Sequence, residues 1–147
     1  MVEVDRVEKA ERLGRSRSRV FFVLAMVFFA QQAAYFASPA ASQASPLQIG
    51  AWFVLVILLL LLLATGGFLF KGRKVWDLLN DETARTNRAA AQALGFWVTI
   101  IMALAVYVES IFDPLTLNEG LHIIVTTGVG AALISFAVRE RRAHQIG

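Results

Sequence analysis

The chain has 147 residues, 57 % hydrophobic and 17 % charged, with a net charge of +3. That is too apolar for an ordinary soluble domain, and the charges gather at the N-terminus, a central stretch, one late loop and the C-terminus, leaving four apolar runs between them. Cysteine is absent, which excludes disulfides, thiolate metal sites and thiol redox chemistry.

Residues 1–19 read as a charge-laced helix on the membrane surface. Asp5 and Lys9, Glu8 and Arg12, and Glu11 and Arg15 each set an acid four residues before a base, the favoured order on a helix face. Each such pair is worth only roughly 0.2–0.5 kcal/mol. Arg15, Arg17 and Arg19 then form a purely basic run with Ser16 and Ser18 between them. A nucleic-acid or anionic-lipid patch is one reading of that run. The ordinary reading is a juxtamembrane anchor that orients the first span, and no nucleic-acid partner is expected.

The first span is predicted at 20–38, about 28 Å long as a helix. A cleaved signal peptide is the competing reading, with Ser42-Gln43-Ala44 as a small-residue cleavage site. Against it stand the long, mixed-charge region before the apolar block and the aromatic Tyr35 and Phe36 after it. Gln31 and Gln32 lie within the span and are expected to make interhelical hydrogen bonds rather than line a polar pathway. A short turn with Pro39 and Pro46 makes a hairpin with the second span, 47–70. This second helix contains six consecutive leucines, 58–63, and reads as the most lipid-exposed of the four. Gly66 and Gly67 near its end permit a bend or a close helix contact.

The polar stretch 71–88 follows, with Lys71, Arg73 and Lys74 at the interface and Trp76 as a headgroup-level anchor. Asn80 or Asp81 can cap a new helix. Asp81, Arg85, Arg88 and Gln92 then fall on one polar stripe, on which Asp81 and Arg85 can pair. Asp81, Glu82, Arg85 and Arg88 are candidates for docking a partner, against the plainer reading of a solvated helix face. The motif Asp81-Glu82-x-x-Arg85-x-Asn87-Arg88, followed by Ala90 and Gly95-Phe96-Trp97, resembles a pattern in small bacterial inner-membrane proteins of four helices and unknown function. The likeness spans about 78–98. It implies four helices and a bacterial inner membrane, and assigns no catalytic or binding residue.

The third span is predicted at 89–111 and the fourth at 121–138. Ala91, Gly95, Thr99 and Ala103 recur every four residues in the third. Thr127, Ala131 and Ser135 do so in the fourth, with Gly128 and Ala132 beside them. These two small-residue ridges are expected to pack on each other. Glu109, Asp113, Glu119 and His122 cluster about the turn between the spans. Glu109 and His122 are candidates for proton or cation coupling, against the plainer reading that all four groups lie at the wet interface.

Of the fourteen Lys and Arg residues, six precede Val20, five lie in 71–88 and three follow Val138. The positive-inside rule places those three segments in the cytoplasm. The expected architecture is an all-α integral membrane protein: four transmembrane helices as two antiparallel hairpins over 20–138, a cytoplasmic segment 1–19, a cytoplasmic tail 139–147, and both termini cytoplasmic. No cofactor and no metal site are implied. No nucleophile–base pair, metal-ligand spacing or phosphate loop suggests an enzyme. The expected function is a structural, accessory or regulatory membrane component with a cytoplasmic docking segment. Its partners would be the bilayer, a membrane or cytoplasmic protein, or further copies of itself. The alternative is a small oligomeric transporter coupled to protons or cations. Small multidrug exporters share the size and helix count but carry a membrane-embedded carboxylate in their first helix, where this chain has none.

Overall fold

A computed structural model describes residues 2–37, 45–66 and 82–143, with side chains from residue 18 onward. Among the described residues there are four helices and no strand: α1 (Val2–Ala37), α2 (Pro46–Thr65), α3 (Glu82–Phe112) and α4 (Leu117–Ala143). Each contains a stretch long and apolar enough to cross a membrane, beginning in α1 at Ser18. The charged N-terminal segment is not a separate surface helix. It continues unbroken into the first span as one helix of 36 residues, about 54 Å long.

Local signals set the helix ends. Ser45 caps α2 with its side chain while the Gln48 carboxamide accepts from the Ser45 N–H at 3.0 Å, and Pro46 fills the first turn, where its missing donor costs nothing. Gly66 ends α2 in the left-handed conformation, at φ 65° and ψ 25°. It is thus a stop and not the bend or helix contact expected of it, because only glycine takes that conformation without a Cβ clash. The expected extension of the second span through 67–70, and the caps at Asn80 and Asp81, lie outside the described residues.

The packing is organised around α4. Half of the residues in its most apolar window are buried, against 22 % in each of α1 and α2 and 11 % in α3. On α1, Ser18, Phe21, Ala25, Phe28 and Gln32 are buried at alternating three- and four-residue spacing. On α4, His122, Thr126, Val129, Leu133, Phe136 and Glu140 follow the same alternation. That spacing is the knobs-into-holes seam of two helices at a shallow angle. Ser18 donates to the Ala137 carbonyl at 2.8 Å, the Phe21 and Phe136 rings meet edge to face at 4.7 Å, and Gln32 reaches Thr126, so the two helices run antiparallel.

Two expectations are corrected here. The first two helices do not form a tight hairpin, since α1 packs chiefly on α4, and α2 meets α4 more sparingly. Nor is α2 the most exposed helix. It turns Trp52, Val56, Leu59 and Leu63 inward, while Leu58, Leu60 and Leu61 face out. The most exposed span is α3, because it packs through a narrow strip of small residues, Ala84, Ala91 and Gly95, which cover little area.

The α3–α4 ridge contact is present, shifted by one row. A Cβ added to Gly95 would lie 2.7 Å from the Ala132 Cβ and 3.0 Å from the Gly128 carbonyl oxygen, and one added to Gly128 would strike the Thr99 hydroxyl. The row that meets Ala91, Gly95 and Thr99 is therefore Gly128 and Ala132. Thr127, Ala131 and Ser135, the row expected there, are only half-buried, and the Thr127 hydroxyl turns back to the Ile123 carbonyl at 2.7 Å. Ala103 is half-buried further along α3.

Candidate functional site

At the end of the bundle where α4 begins, three helices converge on a buried polar cluster. His122 is one and a half turns into α4 and only 3 % exposed. Its ring lies between two aromatic rings: Tyr35 of α1, with centroids 4.5 Å apart and planes at 8°, and Trp52 of α2, at 4.0 Å and 24°. The Gln32 carboxamide nitrogen donates to the Thr126 hydroxyl at 2.5 Å and lies 3.1 Å from His122 Nδ1. The Gln32 carboxamide oxygen is 3.4 Å from the same Nδ1, so which of the two groups donates is set by the tautomer of the ring. Asn118 donates to the Tyr35 hydroxyl at 3.0 Å. The Trp52 indole N–H is buried and has no acceptor among the described residues.

This arrangement follows from spacing on three elements. Gln32 and Tyr35 sit three apart on α1, and His122 and Thr126 four apart on α4, so each pair shares a face. The Thr116-x-x-Glu119 capping box then fixes where α4 starts. The Thr116 hydroxyl and N–H donate to the Glu119 carboxylate at 2.7 and 3.0 Å, and the Glu119 N–H returns to the hydroxyl at 3.3 Å. Glu119 is thereby occupied as a helix cap.

The expected acidic group about His122 is not assembled. Glu109 and Asp113 are exposed, and His122 faces Gln32, Tyr35 and Trp52. Among the described residues no group of three His, Asp or Glu side chains could hold a metal ion. Glu109 and Asp113 thus lie on the outside of the bundle, whereas His122 is covered by α1 and α2. Gln32 makes the expected interhelical hydrogen bonds, whereas Gln31 is exposed.

The charged stretch before the third span divides similarly. Asp81 is outside the described residues, as is the Asp81–Arg85 pair. Glu82, Arg85 and Gln92 are exposed on α3. Arg88 is half-buried and donates to the Ala64 carbonyl at 3.0 Å, in the last turn of α2. It ties α3 to α2, leaving Glu82 and Arg85 as the outward-facing part of the candidate docking stripe.

Trp52 and Tyr35 join the site from positions that carry no polar motif in the sequence. Their signal was the pairing of aromatic residues with Gln32 near the ends of two adjacent apolar runs. No family model, curated protein or solved structure matches this chain.

Proposed function

We propose that the protein is a multi-pass component of a bacterial inner membrane, with both termini and the stretch between α2 and α3 in the cytoplasm, and that it acts as a non-enzymatic accessory or regulatory subunit by presenting the first turns of α3 to a protein partner. One observation carries this reading. α3 is helical from Glu82, about two turns before its apolar portion, and there it holds Glu82 and Arg85 outward on a rigid backbone. A rigid, charged helix projecting from a bilayer suits recognition by a complementary surface. The distribution of Lys and Arg supports the orientation.

The test is co-purification from native membranes with mass spectrometry, comparing wild type with Arg85→Ala. The expected result is a stoichiometric partner that the variant loses while its melting temperature in detergent is unchanged. A partner retained by Arg85→Ala, or none in wild type, would refute the reading.

The alternative, an oligomeric proton- or cation-coupled transporter, draws support from His122, an ionisable side chain buried inside a span. On that reading the coupling group is His122 and not the exposed Glu109. Reconstituted vesicles under a pH gradient would then show a flux that His122→Gln abolishes and Glu109→Gln leaves intact. Absence of any gradient-driven flux rules that reading out.

A further inference from the structure

A groove of about 490 Å³ lies between α3 and α4 at the end of the bundle opposite His122. It is lined by Asn87 of α3 and by Ser135, Val138, Arg139, Arg142 and Ala143 of α4. Ser135, Val138, Arg139 and Arg142 fall at i, i+3, i+4 and i+7, one face of the helix. Arg139 Nε donates to the Ser135 hydroxyl at 3.3 Å, which braces one guanidinium and engages only one of its five donors.

The chemistry of the lining is one-sided. Among the described residues it offers two guanidinium groups, a carboxamide and a hydroxyl, and no carboxylate. The neighbouring acids among the described residues point elsewhere. Glu140 is 4 % exposed on the packed side of α4, whereas Arg139 and Arg142 are exposed. Glu82 precedes Asn87 by five residues, which turns it about 140° away around α3. Such a set matches an anionic phosphate oxygen cluster, which Arg binds through paired N–H donors.

The depth of the groove narrows the ligand further. The apolar run of α4 ends at Val138 and that of α3 starts at Ala89. The groove therefore straddles the boundary of the apolar region, with Val138 on the apolar side and the guanidiniums beyond it. A soluble phosphate would use only the polar half, whereas a phospholipid uses both. We infer that this groove binds the phosphodiester headgroup of an anionic phospholipid in the leaflet on that side, with Arg139 and Arg142 as its cation pair. Basic clefts between spans at the membrane edge are suited to such headgroups. The inference rests on α3 and α4 crossing a bilayer and is independent of any protein partner.

The test uses the purified full-length protein in detergent, with phosphatidylglycerol or phosphatidylcholine added in graded amounts and bound lipid counted by native mass spectrometry. Wild type should retain phosphatidylglycerol over phosphatidylcholine. R139Q/R142Q should lower that preference by roughly ten-fold or more, as expected for two basic groups at a membrane surface. The charge-matched control R85Q/R141Q, altered at two exposed arginines outside the groove, should behave as wild type. Equal loss in the control would show diffuse attraction and overturn the site, as would no lipid preference in wild type. R142Q alone guards against misfolding, since Arg142 makes no side-chain hydrogen bond to the described residues. It should keep the wild-type melting temperature and lose part of the preference, and full retention would overturn the inference. Inorganic phosphate at ~10 mM should neither displace the lipid nor raise the melting temperature, because a free anion lacks the acyl contact. Displacement by phosphate would reassign the groove to soluble anions.

Discussion

Gln32 shows what a single polar side chain does inside an apolar helix. Its amide joins α1 to α4 through Thr126 and His122, and each lost partner would leave a buried polar group with nowhere to turn. Gln32→Leu is expected to lower stability by about 1 kcal/mol, the ordinary scale of an interhelical hydrogen bond in a membrane. Detergent melting should show the loss. A cycle with Thr126→Val should show coupling between the two sites, and strict additivity would mean that the contact contributes nothing. The need for such a bond was legible in the sequence, because two adjacent glutamines in an apolar run must find partners. Which of the two faces inward was not. Flanking residues on every side of α1 are apolar, so the contrast that marks an inner face is missing. His122 was harder still, being one residue inside an apolar run and close to three acids, so that its sequence surroundings resemble a wet edge. Its burial depends on the heights at which α1 delivers Tyr35 and α2 delivers Trp52.

The seam between α3 and α4 depends on the absence of side chains. Gly95 and Gly128 let the helices approach until a Cβ on either would collide with the other helix. Gly95→Leu should therefore force them apart and destabilise the bundle by a few kcal/mol, in the range of overpacked interiors. Leu60→Ala should cost much less, since Leu60 is 46 % exposed. Comparable losses in a detergent-melting assay would disprove the seam. The four-residue repeat predicted the contact, yet α4 offers two adjacent rows of small residues and the repeat alone does not choose between them. The choice falls to Gly128 and Ala132 because α4 must also serve α1 with its neighbouring face. The capping boxes Ser45-x-x-Gln48 and Thr116-x-x-Glu119 were readable by the same local logic. Glu119 also falls near Glu109 and Asp113 in the sequence, yet its spacing from Thr116 already gives it a partner.

For the molecule as a whole, the four apolar runs determine the helix number, and the arginine and lysine ledger supplies an expected orientation. Reporter fusions after Gln43 and after Leu117 should report the outer side, and fusions after Asn80 and at Gly147 the cytoplasm. A cytoplasmic signal at either of the first two positions would exclude the proposed topology. What the apolar runs leave undetermined is who packs on whom, because lipid and leucine are alike to a leucine. That arrangement has a consequence for biogenesis. α4 buries the largest share of its span and is the common neighbour of the other three, yet it is the last of the four described helices to be synthesised. On the proposed membrane topology, α1, α2 and α3 would enter the bilayer as near-independent solutes, with Gln32 awaiting Thr126. Native packing would then come largely with α4, when it inserts among helices already in place. On that topology, the interval between insertion of α3 and of α4 is the time for which the nascent chain lacks its main packing partner.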